Sequence, residues 1–130
     1  MSTRSFVCVK LGNGPIKAMW VHWDGDPRTR LSFLEKYDST ELAEELVHFR
    51  YAESLHTAEM KKNFQEEFGD QCPEEKYYKL STGDYIFNGE GEPQYFRDVQ
   101  DLLSSGEVCS YVYVWKDYKW VIVDPAAYDI

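Results

Sequence analysis

The stretch VHWDGDP, from Val21 to Pro27, concentrates a histidine, a tryptophan and two carboxylates around a glycine and a proline that stop regular structure. On an extended strand His22 and Asp24 project to one face, and Asp26 continues that row if the strand runs on. An imidazole and two carboxylates are competent ligands for a divalent cation, but a closed site needs one more. The remaining histidines, His48 and His56, sit on or near a helical stretch. A structural reading uses the same residues more simply. Asp24 and Gly25 make a turn, Asp26 caps a helix after Pro27, and His22 and Trp23 pack at a strand end. No metal is assigned on this basis.

A second chemistry lies at the start of the chain. With Met1 removed, Ser2 presents a hydroxyl beside its own α-amine, the arrangement of N-terminal nucleophile hydrolases. Ser2, His22 and Asp24 together define an enzyme reading, a small hydrolase or metal-dependent enzyme. Arg4, at a strand start, is placed to pair with Asp24 across the hairpin. The thiols offer less. Cys8 and Cys109 fall in apolar strands and Cys72 in a loop without a neighbouring histidine. Three cysteines without metal-like spacing indicate buried, reduced thiols and a cytoplasmic setting. The GNGP loop at Gly12 lacks the lysine and helix of a phosphate-binding loop, so no cofactor is called for.

The elements that must position these residues are legible from periodicity. Ser5 to Leu11 and Ile16 to Trp23 form a β-hairpin around the Gly12–Gly14 turn. Helices follow over Thr29 to Tyr37 and from the Asp38–Thr40 cluster onward, where Asp38 and Glu41 fit a capping box. Thr57 caps a third helix, with Met60, Phe64 and Phe68 on one stripe and Gly69 at its end. Lys76–Leu80 and Tyr85–Phe87 are short strands, Asn88 to Pro93 a loop, and Asp98–Ser104 a short helix. The strongest signal is the closing hairpin, in which Trp115 faces Trp120, Tyr113 faces Ile122, Val114 faces Val121 and Val112 faces Val123 about an Asp117-Tyr118 turn. The expected fold is a single α+β domain over residues 1–130. Terminal hairpins join in a mainly antiparallel sheet, and the helices pack on one face.

Charge bounds the partners. The 130 residues carry a formal charge of −9, which disfavours direct contact with nucleic-acid phosphates. No apolar run reaches the length of a membrane span. From Glu41 to Glu75 ten acids face three bases. Glu41, Glu44 and Glu45 with Glu66, Glu67 and Asp70 form one acidic face if the two helices pack side by side. Such a face fits a basic, nucleic-acid-binding protein partner as well as it fits plain solvation. Trp115 and Tyr118, at the aromatic turn with Lys116 and Asp117, are candidate anchors.

The opening STRS, the IKAMWVHWDGDP segment and the closing YVYVWKDYKWVIVD together resemble a family of uncharacterised small proteins of bacteriophages and bacterial mobile elements, over Ser2 to Asp124. Asp26 and Tyr118 depart from that family's usual tyrosine and turn glycine. The resemblance supplies no activity. It implies a context, a bacterial cytoplasm under phage attack, in which small acidic proteins inhibit host defence, anti-CRISPR proteins among them. The expectation is an acidic protein that binds a host defence factor such as a CRISPR nuclease, by protein contact or nucleic-acid mimicry. The alternatives are the Ser2–His22–Asp24 enzyme and a homo-oligomer that buries its closing hairpin; the oligomeric state is left open.

Overall fold

The computed structural model describes residues 3–127. In chain order the strands and helices are β1 (Ser5–Lys10), β2 (Ile16–Val21), α1 (Pro27–Leu34), α2 (Thr40–Leu46), β3 (Tyr51–Ala52), β4 (Ser54–His56), α3 (Ala58–Phe68), β5 (Tyr77–Lys79), β6 (Tyr85–Phe87), β7 (Gln94–Phe96), α4 (Val99–Leu103), β8 (Tyr111–Lys116) and β9 (Lys119–Val123). The fold is α+β. The main sheet has the order β3-β2-β1-β8-β9, with β7 also on β2; β4, β6 and β5 form a second, smaller sheet.

Both terminal hairpins form and join, but their junction is parallel. Strand β1 pairs β8 from Ser5↔Tyr111 to Val9↔Trp115, and β2 pairs β3 in parallel as well. The sheet is therefore mixed, with antiparallel pairings in the majority. A strand between two neighbours and covered on both faces must be apolar throughout, and β1 reads SFVCVK with its first five residues buried. Alternation then divides the core. Val7, Val9, Met19, Val21, Tyr113 and Trp115 face α1 and α2, while Phe6, Cys8, Ala18, Val112 and Val114 face α4 through Leu102. Helices thus cover both faces, which corrects the one-sided arrangement. Helices of eight and seven residues do not persist alone in water. Burial of Phe33, Leu34 and Leu46, worth about 1.5–3 kcal/mol per side chain, holds α1 and α2 in place.

The helix starts follow local chemistry. The Asp26 carboxylate accepts from Thr29 N at 3.1 Å and Pro27 opens α1, two residues before the periodicity suggested. The cap of α2 is Ser39, which accepts from Leu42 N at 3.2 Å, in place of Asp38. Thr57 caps α3 and Gly69, at φ 30°, ends it as read from the sequence. The closing hairpin has the predicted register throughout. Its turn residues Asp117 and Tyr118 take φ of 52° and 59°.

Candidate functional site

The VHWDGDP stretch is a strand end clamped from several directions. His22 N donates to Ala52 O and Trp23 N to Glu53 O, each at 3.1 Å, so the chain runs on beside β3 after β2 ends. At Asp24, φ is 60° and the extended path breaks. The strand geometry that would put His22 and Asp24 on one face therefore does not extend to Asp24. Gly25 N donates to Thr3 O at 2.8 Å, and Gly25 O accepts from the Tyr113 phenol at 2.6 Å. A Cβ on Gly25 would lie 2.6 Å from Thr3 O and 2.8 Å from Ser5 Cβ, so only glycine fits this approach. Hydrogen bonds from Thr29 hold the Asp26 carboxyl below its ordinary pKa. The His22 ring lies edge-on to Trp20, at 5.5 Å, and tilted against Trp23, at 4.8 Å.

This geometry supplies the turn, the cap and the aromatic packing of the structural reading. Among the described residues no three of His, Cys, Asp and Glu gather as a metal-ligand set. Nor does any ion pair join Arg4 to Asp24 among them. Ser2 lies outside the described residues. Cys8 and Cys72 are buried and all three thiols are free, while Cys109 sits just ahead of β8 rather than in a strand. Burial raises the Cys8 thiol, and burial with Glu107 pushes Cys109 up to about 11, so both remain thiols near neutrality.

The structure assembles a polar chain that the sequence reading passed over. Ser54 and His56 share one face of β4 by the two-residue repeat. Ser54 Oγ and His56 Nε2 are 2.9 Å apart, and His56 Nδ1 meets the Tyr77 hydroxyl at 3.1 Å. Above them Trp23, Asp24, Glu53, Ser54, Phe64 and Phe87 line a cleft of about 270 Å³. A serine bonded to a histidine invites comparison with a nucleophile and its base. Two features argue against it. Burial lowers the His56 pKa to about 4, against the weaker opposing pull of Asp24 and Glu53, so it is a poor base at neutral pH. A phenol, rather than a carboxylate, stands behind it. The ring is packed between Phe64, at 4.6 Å, and Phe87, at 5.7 Å, as a core histidine whose two nitrogens are satisfied.

The acidic residues separate by element. Helix α2 rests on β1 and α3 on β4, so the two acidic rows do not lie side by side on packed helices. Glu41 and Glu44 are exposed. Glu45 is occupied, since Ser81 Oγ donates to it at 2.7 Å and Ser81 N at 3.1 Å. Glu66, Glu67 and Asp70 are all exposed on α3 and the turn after it. No residue of α3 is buried, and its apolar stripe is only partly covered, with Phe64, packed on His56, 37% exposed and Phe68 41%. In the closing hairpin Trp115 is 3% exposed and its indole donates to Thr40 Oγ1 at 3.1 Å. It is a core residue and not a surface anchor, because its face of β8 is the one that α1 and α2 cover. Tyr118, 86% exposed, remains available.

Comparison with protein-family models, with curated proteins and with solved structures returned no match. No helix among the described residues is long and apolar enough to cross a membrane.

Proposed function

We propose that this protein is an acidic protein-binding module that inhibits a basic, nucleic-acid-binding host defence protein, such as a CRISPR nuclease, by occupying its charged surface. One observation carries this reading: α3 leaves Phe64 and Phe68 37% and 41% exposed on a helix that also exposes Glu66 and Glu67, with Asp70 exposed in the turn after it. An amphipathic helix ordinarily buries its apolar stripe. One that leaves two phenylalanines partly exposed on an acid-rich helix has the composition of a helix that enters a partner's groove, with aromatic anchors and charged residues around them. The net charge of −9 selects a basic partner and speeds the encounter with it. The phage-like resemblance of the HWDG segment and the closing hairpin supplies the defence context.

The test adds the purified protein to RNA-guided bacterial nucleases and reads DNA cleavage. Cleavage should fall with the wild type and recover with rising salt. It should also recover when Glu66, Glu67 and Asp70 are together changed to Lys. Cleavage left untouched by the wild type across the nucleases tested would overturn the reading.

A further inference from the structure

Arg30 is 1% exposed, and it is the largest fully buried side chain of the fold. A buried guanidinium normally meets a carboxylate, because the desolvation of its charge is otherwise unmatched. Among the described residues no carboxylate lies within 4 Å of Arg30. Its Nη2 donates to the Trp23 carbonyl at 2.9 Å, and its Nε has no partner. Burial lowers its pKa to about 10, against the opposing pull of Tyr113, Asp24 and Asp26, so it is still a cation at neutral pH.

This cation, 5.9 Å over the Phe33 ring and without a close ion pair among the described residues, lines a cleft of about 460 Å³ between α1 and the start of α3. Arg28, Lys36 and the exposed Ser32 also line it. Lys36 is already bound to Asp84 at 2.8 Å, but Arg28 is exposed and, among the described residues, free of any carboxylate within 4 Å. In a chain of net charge −9, this cleft gathers two arginines with no ion pair within 4 Å among the described residues, set against the single carboxylate of Asp24 in the same lining. Phe33, Leu55 and Met60 supply an apolar wall, and Asp24 is an acceptor at the rim. Arginine forks match phosphate oxygens, and a mostly apolar cleft of this size with a few convergent polar groups suits a small organic ligand.

We propose that this cleft binds a phosphomonoester with an aromatic body, of nucleoside-monophosphate size, with Arg30 and Arg28 on the phosphate and Phe33 and Met60 against the ring. The phosphate supplies the contacting anion that Asp24 and Asp26, both farther than 4 Å, do not give Arg30. The site is separate from the acidic residues of α3 and independent of the partner proposed above.

The test titrates the full chain with AMP, inorganic phosphate and adenosine, and reads the Arg Nε–Hε resonances by NMR with thermal unfolding alongside. AMP should shift the Arg30 resonance, raise the melting temperature, and bind about tenfold or more tightly than phosphate or adenosine alone. Arg28→Ala should weaken AMP about tenfold with the fold unchanged, and Arg30→Met should abolish binding. Should Arg30→Met not fold, Ser32→Glu sets an acid at the exposed rim and should block AMP on an intact protein. An Arg30 resonance and a melting temperature that AMP leaves unmoved would overturn the proposal. So would equal affinity for AMP and inorganic phosphate.

Discussion

The Tyr113 phenol donates to the Gly25 carbonyl across a buried 2.6 Å hydrogen bond. That contact fastens the central strand β8 to the turn of the HWDG segment, 88 residues earlier. Tyr113→Phe keeps the ring and strands a buried carbonyl, so it should cost about 1–3 kcal/mol in urea unfolding. Gly25→Ala forces a methyl against Thr3 and Ser5 and should cost at least as much, about 1–3 kcal/mol by overpacking alone. Because the two positions touch, the double variant should cost less than the sum. A Tyr113→Phe midpoint equal to the wild type's would show that the carbonyl finds water instead.

The same contact marks where sequence reasoning stops. The closing hairpin was legible to the residue, because its partners lie within a dozen positions and its two faces repeat with a period of two. Caps at Asp26 and Thr57 were legible for the same reason, since a side chain there answers an amide three residues on. The β1–β8 pairing was not. It joins residues about a hundred positions apart, and an apolar run such as SFVCVK reads alike in either orientation. The residues of β3, β4 and β7, two or three each, were too short to show a period. Arg30 was hidden too, because an arginine near a helix start ordinarily reads as a solvated residue. Only the Trp23 carbonyl, reached through a tertiary turn, separates the buried arginine from the exposed Arg28. Trp115 misled for the converse reason. It adjoins an exposed turn, yet its side of the strand is roofed by helices.

His56 should make the protein acid-sensitive. Its folded pKa is about 4, against 6.5 for a free imidazole, because burial penalises the charged ring. The unfolded chain therefore binds the extra proton between those values. Stability from this group is complete above pH 6.5 and is lost as pH falls toward 4. The loss should be on the order of 2 kcal/mol after screening by solvent near the cleft. Urea midpoints at pH 7 and pH 4.5 measure it, and His56→Gln should flatten that part of the profile. A wild-type slope that persists unchanged in His56→Gln would assign it to the carboxylates instead.

The turn of the closing hairpin holds Tyr118 at φ 59° with its ring 86% exposed. A left-handed conformation costs an L-residue with a bulky side chain roughly 1–2 kcal/mol, and the ring gains little packing here to offset it. Tyr118→Gly should therefore raise stability by about 1 kcal/mol. If the ring is a partner contact, the same substitution should weaken partner binding while the melting temperature rises. Tyr118→Ala, which keeps the strain and removes the ring, separates the two effects. It should lose binding without gaining stability.

Glu45 and Glu66 look alike in sequence and should behave oppositely. Glu45 accepts two hydrogen bonds from Ser81 and so ties α2 to the turn between β5 and β6. Glu45→Ala should lower stability by about 1 kcal/mol and leave the affinity of the remaining acidic residues unchanged. Glu66, Glu67 and Asp70 are exposed, and among the described residues none has an ion-pair partner within 4 Å. Reversing their charge should change stability by no more than about 0.5 kcal/mol, since surface charges away from packed features contribute little. It should instead slow association with a basic partner, most strongly at low salt, because rim charges act on the encounter rate. Stopped-flow binding of the two variants at two ionic strengths decides it. A charge-reversed α3 that associates as fast as the wild type would move the interface off that helix, and Tyr118 would then be the first position to substitute.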